Sequence, residues 1–227
     1  MINFFKACLN SLLVSCFLLL SQCSNFNAEN AELSELYPKV ENFKAHFHAE
    51  ALTSGKKDYE MNGIIYFQKP NNFRMEFTWS DNESVFHSTR TFDGRYQWQY
   101  YEEQKFAERQ DTELLGKELK MAYGYLPLYT FDADITYAGR EIFKDESIKK
   151  FIVRPSKKIK KLAPDIDDKR IFLIGEEDGI VRALYFYNPK GELIFFEEFY
   201  IQEKNADMKK VQFTFNPPKG SQVKFMP

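Results

Sequence analysis

The chain has 227 residues, a net charge of −2 and an aromatic content of 17%. It is long enough for one domain with a sizeable core, and a balance without a basic tail or patch excludes a nucleic-acid partner gripped by charge. All three cysteines stand at positions 8, 16 and 23, so the remainder has no disulfide, thiolate metal site or cysteine nucleophile.

Met1–Asn10 carries Lys6 as its one charge, and Leu12–Leu20 (LLVSCFLLL) is an apolar run too short to span a bilayer. That order predicts a signal peptide over 1–23 and an exported domain over 24–227. With Lys6 removed, 30 basic residues face 33 acidic ones, a charge of −3. Cys23 follows Leu20-Ser21-Gln22, where a bacterial lipoprotein would be cleaved and acylated. Leu20 and Ser21 suit that use and Gln22 does not, so acylation of Cys23 and ordinary cleavage beyond it both stay open.

Residues 29–40 (ENAELSELYPKV) predict a short amphipathic helix limited by Pro38. From Phe43 the period becomes two, with Phe43, Ala45, Phe47 and Ala49 against Lys44, His46, His48 and Glu50. Strand-like runs follow at 59–69, 72–80, 83–92 and 95–102, and Asp93-Gly94 is a hairpin signal. Residues 111–125 (DTELLGKELKMAYGY) predict a helix with Leu114, Leu115, Leu119, Ala122 and Tyr123 along one stripe, ended by Pro127. Strands resume at 134–143, 148–155, 170–175, 180–188, 192–203 and 209–216, with a charged loop over 156–169. Pro217 and Pro218 force the last of these to leave its sheet, Gly220 lets the chain turn, and Val223 and Phe225 are placed to pack back along an edge.

About eleven consecutive antiparallel strands predict a mainly β protein: a strongly curved sheet or incomplete barrel with helices covering its hollow side. Several strands are apolar on both faces, as with Ile64 and Tyr66 against Ile65 and Phe67, or Leu184 and Phe186 against Tyr185 and Tyr187. One face would then serve a core and the other a lined cavity; a simple two-layer sandwich remains the alternative.

Chemistry-bearing motifs are absent. His46 and His48 share a strand face but no third metal ligand is positioned, and Asp165, Asp167 and Asp168 lack the glycine and closing glutamate of a calcium loop. No phosphate-cradling glycine loop, nucleophile elbow or zinc helix occurs. The expectation is a binding protein, not an enzyme, with no cofactor and no metal.

Four stretches taken in order, VENFKAHFHAEA, GIIYFQKPNNFRMEF, TFDGRYQWQYY and FTFNPPKG, resemble the LolA family of periplasmic carriers of outer-membrane lipoproteins. The resemblance runs from about residue 30 to 225. It implies an incomplete eleven-stranded antiparallel barrel with a helical lid over an apolar cavity. The implied partners are acylated lipoproteins, an inner-membrane lipoprotein-releasing ABC transporter and an outer-membrane acceptor, with the protein itself a periplasmic monomer. Family members often hold the lid with an arginine before the turn proline. This chain has Lys69 there, which keeps the charge without the bidentate fork, while Arg74 matches an arginine of many relatives.

A shuttle must replace the water-excluding contact of a membrane, because exposing an acyl chain costs ~0.8 kcal/mol per methylene. Flat aromatic rings supply that contact with few rotamers to freeze. Alternation makes Ile65, Phe67, Phe73, Met75, Phe77, Trp98 and Tyr100 the candidate lining, and Leu114, Leu115 and Leu119 the lid, with Lys69 and Arg74 as latch. On the resemblance, Phe213 and Phe215 complete the wall. If Cys23 is acylated the role becomes that of an outer-membrane-anchored, LolB-like acceptor or lipid-binding lipoprotein. LolA-like domains also occur in envelope-stress sensors that bind a partner protein, which is the remaining alternative.

Overall fold

The computed structural model describes residues 38–70, 72–81, 84–111, 133–157, 160 and 167–226. Within them twelve strands form one sheet. They are β1 (Asn42–Thr53), β2 (Lys56–Gln68), β3 (Asn72–Ser80), β4 (Val85–Phe92), β5 (Tyr96–Tyr101) and β6 (Phe106–Asp111), then β7 (Ala133–Phe143), β8 (Glu146–Pro155), β9 (Lys169–Gly175), β10 (Val181–Tyr187), β11 (Leu193–Lys204) and β12 (Gln222–Met226). Their order is β12-β6-β5-β4-β3-β2-β1-β11-β10-β9-β8-β7. Two antiparallel meanders, β1 to β6 and β7 to β11, therefore meet at a seam between β1 and β11. The sheet does not close, since β12 and β7 are its edges.

The register gives the sheet two distinct faces. Phe43, Ala45 and Phe47 stand opposite Phe67, Ile65 and Gly63, which stand opposite Phe73, Met75 and Phe77. Directly opposed residues share a face, so this row continues through Phe92 to one side. On the other side it runs through Phe199, Leu184, Phe172, Phe151 and Val153. These residues form the main hydrophobic core, with Phe43, Phe67, Phe92, Phe151 and Phe172 fully buried. We call this face the inner wall.

Gly63 marks a close approach within that wall. A Cβ there would stand 2.4 Å from the Glu76 carbonyl oxygen and 2.5 Å from Phe77 Cβ, so β2 and β3 approach where only glycine fits. Phe47 and Phe77, the two inner-wall residues facing Gly63, meet edge-on with centroids 6.1 Å apart.

Two expectations change. Residues 106–111 (FAERQD) form β6, although their polar run gives no strand signal. Residues 209–216 are not a strand: they pair with no ladder, Val211, Phe213 and Phe215 are half-buried, and Phe215 rests on Trp98 and Tyr100. Val223 and Phe225 do return to an edge, in β12, which pairs parallel with β6. The predicted 29–40 helix lies outside the described residues except 38–40, which are irregular, and the 111–125 helix does so except Asp111, which ends β6. The lid residues Leu114, Leu115 and Leu119 and the leader with Cys23 also fall outside. Helix among the described residues is confined to Lys157 and Lys160.

Candidate functional site

The inner wall is not uniformly apolar. Toward β4, β5 and β6 the aromatic row gives way to Ser88, Arg90, Gln97, Gln99, Glu108 and Gln110, aligned by the pairs Arg90–Gln99, Phe92–Gln97, Gln97–Gln110 and Gln99–Glu108. Ser88, Gln97, Gln99 and Gln110 are all buried. Arg90 Nε donates to Gln99 Oε1 at 2.6 Å, and Ser88 Oγ has no hydrogen-bond partner.

One acid lies on the inner wall at the seam. Glu197 on β11 stands opposite Ala49 of β1 and Leu184 of β10, both inner-wall residues, and is 6% exposed. Burial pushes its carboxyl up to about 7, and the charge of Arg90 only partly offsets that rise. Three strands separate β11 from β4, a span of roughly 19 Å in a flat sheet. Nearby, burial and the charge of Glu108 push the Tyr101 hydroxyl up to about 12.

The outer face carries a different construction. After β11 the chain crosses β1 to β6 as a strap over 205–221. Asn205 N–H donates to the Asn42 carbonyl at 2.9 Å, and Arg74 Nη1 donates to the Gln212 carbonyl at 3.1 Å. Phe215 then packs on Trp98 and Tyr100, with centroids 5.6 and 5.3 Å away. Beyond it the Arg109 guanidinium lies 4.7 Å from Tyr96, 5.7 Å from Trp98 and 4.4 Å from Phe225, tying β5, β6 and β12 together. An open crevice beside the strap is lined by Tyr66, Arg74, Glu76, Lys210, Val211 and Gln212.

The predicted lining residues consequently divide. Ile65, Phe67, Phe73, Met75 and Phe77 share the inner wall, with Ile65, Phe67 and Phe73 buried. Trp98 and Tyr100 point to the outer face, opposite Thr91 and Thr89, and Phe215 meets them there. A single cavity lined by both groups is not what the register builds, because the alternation along β5 is opposite to the expected one. Phe213 is half-buried in the strap.

The two latch residues also separate. Lys69 Nζ donates to the Lys39 carbonyl at 3.3 Å and lies 3.4 Å from Glu41 Oε1, so it anchors the segment leading into β1. Arg74 pairs with Glu76 at 2.6 Å and holds the strap.

Sequence reasoning missed Glu197, Arg90 and Ser88. The signal for Glu197 was present in LIFFEEFYIQEK, where adjacent Glu197 and Glu198 on one strand require one acid to face inward. Glu198 is the outward one, bonded to Lys144 at 2.5 Å and Tyr200 at 2.9 Å. Among the described residues no group of metal-binding side chains occurs.

No protein-family model and no curated protein matches the sequence. An uncharacterised conserved protein from Thermus thermophilus superposes with a TM-score of 0.56 at 13% identity, covering 83% of this chain and 92% of that one. The fold is shared. A LolA superfamily protein from Nitrosomonas europaea aligns more loosely, with a TM-score of 0.38 at 11% identity over 80% of this chain and 93% of that one. The MucA/MucB complex of Pseudomonas aeruginosa gives 0.43 at 14% identity, over 77% of this chain and 56% of that one.

Proposed function

We propose that the protein binds acyl chains of lipoproteins or lipids against its inner wall and carries them through the periplasm toward the outer membrane, without catalysis. The observation that carries this reading is the inner wall: a continuous run of buried aromatic and aliphatic side chains on an open sheet. The sheet stays open along β7 and β12, and its two meanders join at the β1–β11 seam. The resemblance to lipoprotein carriers supplies the cargo class and the implied transporter and acceptor. A signal peptide over 1–23 would deliver the chain to the periplasm, and acylation of Cys23 would turn the same binding wall into an anchored acceptor.

The test places a charge on each face. Phe77→Asp on the inner wall is expected to abolish binding of a fluorescent fatty acid while far-ultraviolet circular dichroism stays that of a β-sheet. Phe225→Asp, at a side chain 62% exposed on the outer side of β12, is expected to leave binding unchanged. Full binding by the folded Phe77→Asp protein would exclude the inner wall as the acyl site.

A second reading, an envelope-stress interaction module, is favoured by one feature. Strand β12, an edge of the sheet among the described residues, exposes Val223 and Phe225, and an exposed edge is where a partner's extended segment adds to a sheet. Loss of a protein partner, but not of fatty acid, in Phe225→Asp would favour it.

A further inference from the structure

We propose that the outer side of the β5–β6–β12 edge, centred on Phe225 and Arg109, docks on an anionic lipid bilayer, whatever ligand the inner wall holds. Three observations on this side of the sheet carry the proposal. The first is apolar surface: β12 presents Phe225 at 62% and Val223 at 38% exposure, opposite Arg109 and Ala107 of β6. The second is a cation held by rings. The Arg109 guanidinium lies against Tyr96, Trp98 and Phe225, and no carboxylate among the described residues pairs with it. The third is charge. Over 205–226, the strap and β12 together, Lys209, Lys210, Lys219 and Lys224 are all exposed and pair with no carboxylate among the described residues. Asp207 is the one acid of that stretch, in a chain whose net charge is −2.

A single exposed ring needs no explanation. A ring beside unpaired cations is different, because it matches the two layers of a bilayer surface. The ring enters the boundary between headgroups and acyl chains, while long basic side chains reach the lipid phosphates. Arginine suits the join between them: it is weakly hydrated, stacks on rings and still turns its N–H groups toward a phosphate. The neighbouring charges do not cancel this. Arg95, exposed beside Tyr96, is paired with Asp111 at 3.5 Å, and Glu108 lies on the inner side of β6. Each basic side chain near an anionic leaflet strengthens binding about fivefold, so these lysines and one ring supply reversible docking. A second copy of the chain would set one basic segment against another. The strand partner of the second reading would use the backbone edge of β12 and leave the strap lysines without counter-charge. The contact lies on the face opposite the inner wall, so acyl binding and docking do not compete.

The experiment sediments the mature protein, secreted from a Cys23→Ser gene so that no acyl anchor contributes, with sucrose-loaded vesicles. The vesicles are phosphatidylcholine alone, or phosphatidylcholine mixed equally with phosphatidylglycerol. Binding to the anionic vesicles is expected to be at least about tenfold tighter, and to fall away in high salt. Phe225→Ser is expected to weaken it about tenfold, and Lys219→Gln with Lys224→Gln about twentyfold. The same change at Lys56 and Lys190, exposed where β2 begins and in the β10–β11 turn, is expected to do little. Phe77→Asp on the inner wall should bind vesicles as the wild type does, whatever becomes of its fatty-acid binding; loss there would assign the contact to the inner wall and overturn the proposal. Equal binding to both vesicles, an unchanged Phe225→Ser, or as large a loss from Lys56 and Lys190 as from Lys219 and Lys224 would also overturn it. No binding to either vesicle would do the same, and saturable capture of an acidic peptide instead would give the surface to a protein partner.

Discussion

Glu197 shows how one side chain reports on its surroundings. An acid raised to about 7 by burial is bound more strongly by its proton in the folded chain than in the unfolded one. The stability this contributes is complete below the ordinary glutamate value and is lost as pH rises through 7. Glu197→Gln, which has no charge to bury, is therefore expected to exceed the wild type by roughly 2–3 kcal/mol at pH 8, and by little at pH 4. Urea titrations at the two pH values would check this; an equal difference at both would assign the effect to packing. That one of two adjacent acids must face inward was legible in the sequence. Which one does was not, because β11 is irregular in its register to both neighbours, near Lys44 and near Tyr187.

Among the elements, the strap teaches the most about reading alternation. FTFNPP alternates as a strand does, yet its partners are side chains below it rather than a backbone beside it. Period two is a property of extended chain and not of a ladder. The return of Val223 and Phe225 to an edge was legible, whereas the double proline ends no strand, because 209–216 is not one. Strand β6 was not legible, since its outer residues are Ala107 and Arg109 and its inner ones Glu108 and Gln110, with aromatic cover supplied by β5 and β12. Two predictions belong to this scale. Phe215→Ala should release the strap, giving protease sensitivity and fast amide exchange over 209–226 while β1 and β2 stay protected; unchanged exchange would show that the Arg74–Gln212 bond suffices. Gly63→Ala should cost about 2–3 kcal/mol in a urea titration, because the new methyl meets a carbonyl oxygen and not a movable side chain.

At the scale of the whole molecule, opposed titrations set the pH range of stability. Asp178 is buried beside Arg182, and burial alone would raise it. Hydrogen bonds from Arg182, Lys204 and the Ile180 N–H instead hold it below the usual aspartate range. Its contribution is present above its ordinary value and lost as pH falls further, opposite in sign to Glu197. Thermal unfolding followed across pH should show a maximum in the mildly acidic range, which Glu197→Gln should extend through neutrality; a wild-type maximum above pH 8 would refute the assignment. The seam carries a further consequence, for the order in which the chain acquires its shape. Each meander is made of neighbouring hairpins, which zip early because little loop entropy opposes them. The pairing of Phe43 with Lys204 must wait for nearly the whole chain. Until then β1 and β11 are each an exposed template for a stray strand, so the interval before the halves join is the moment at which this protein most needs a chaperone.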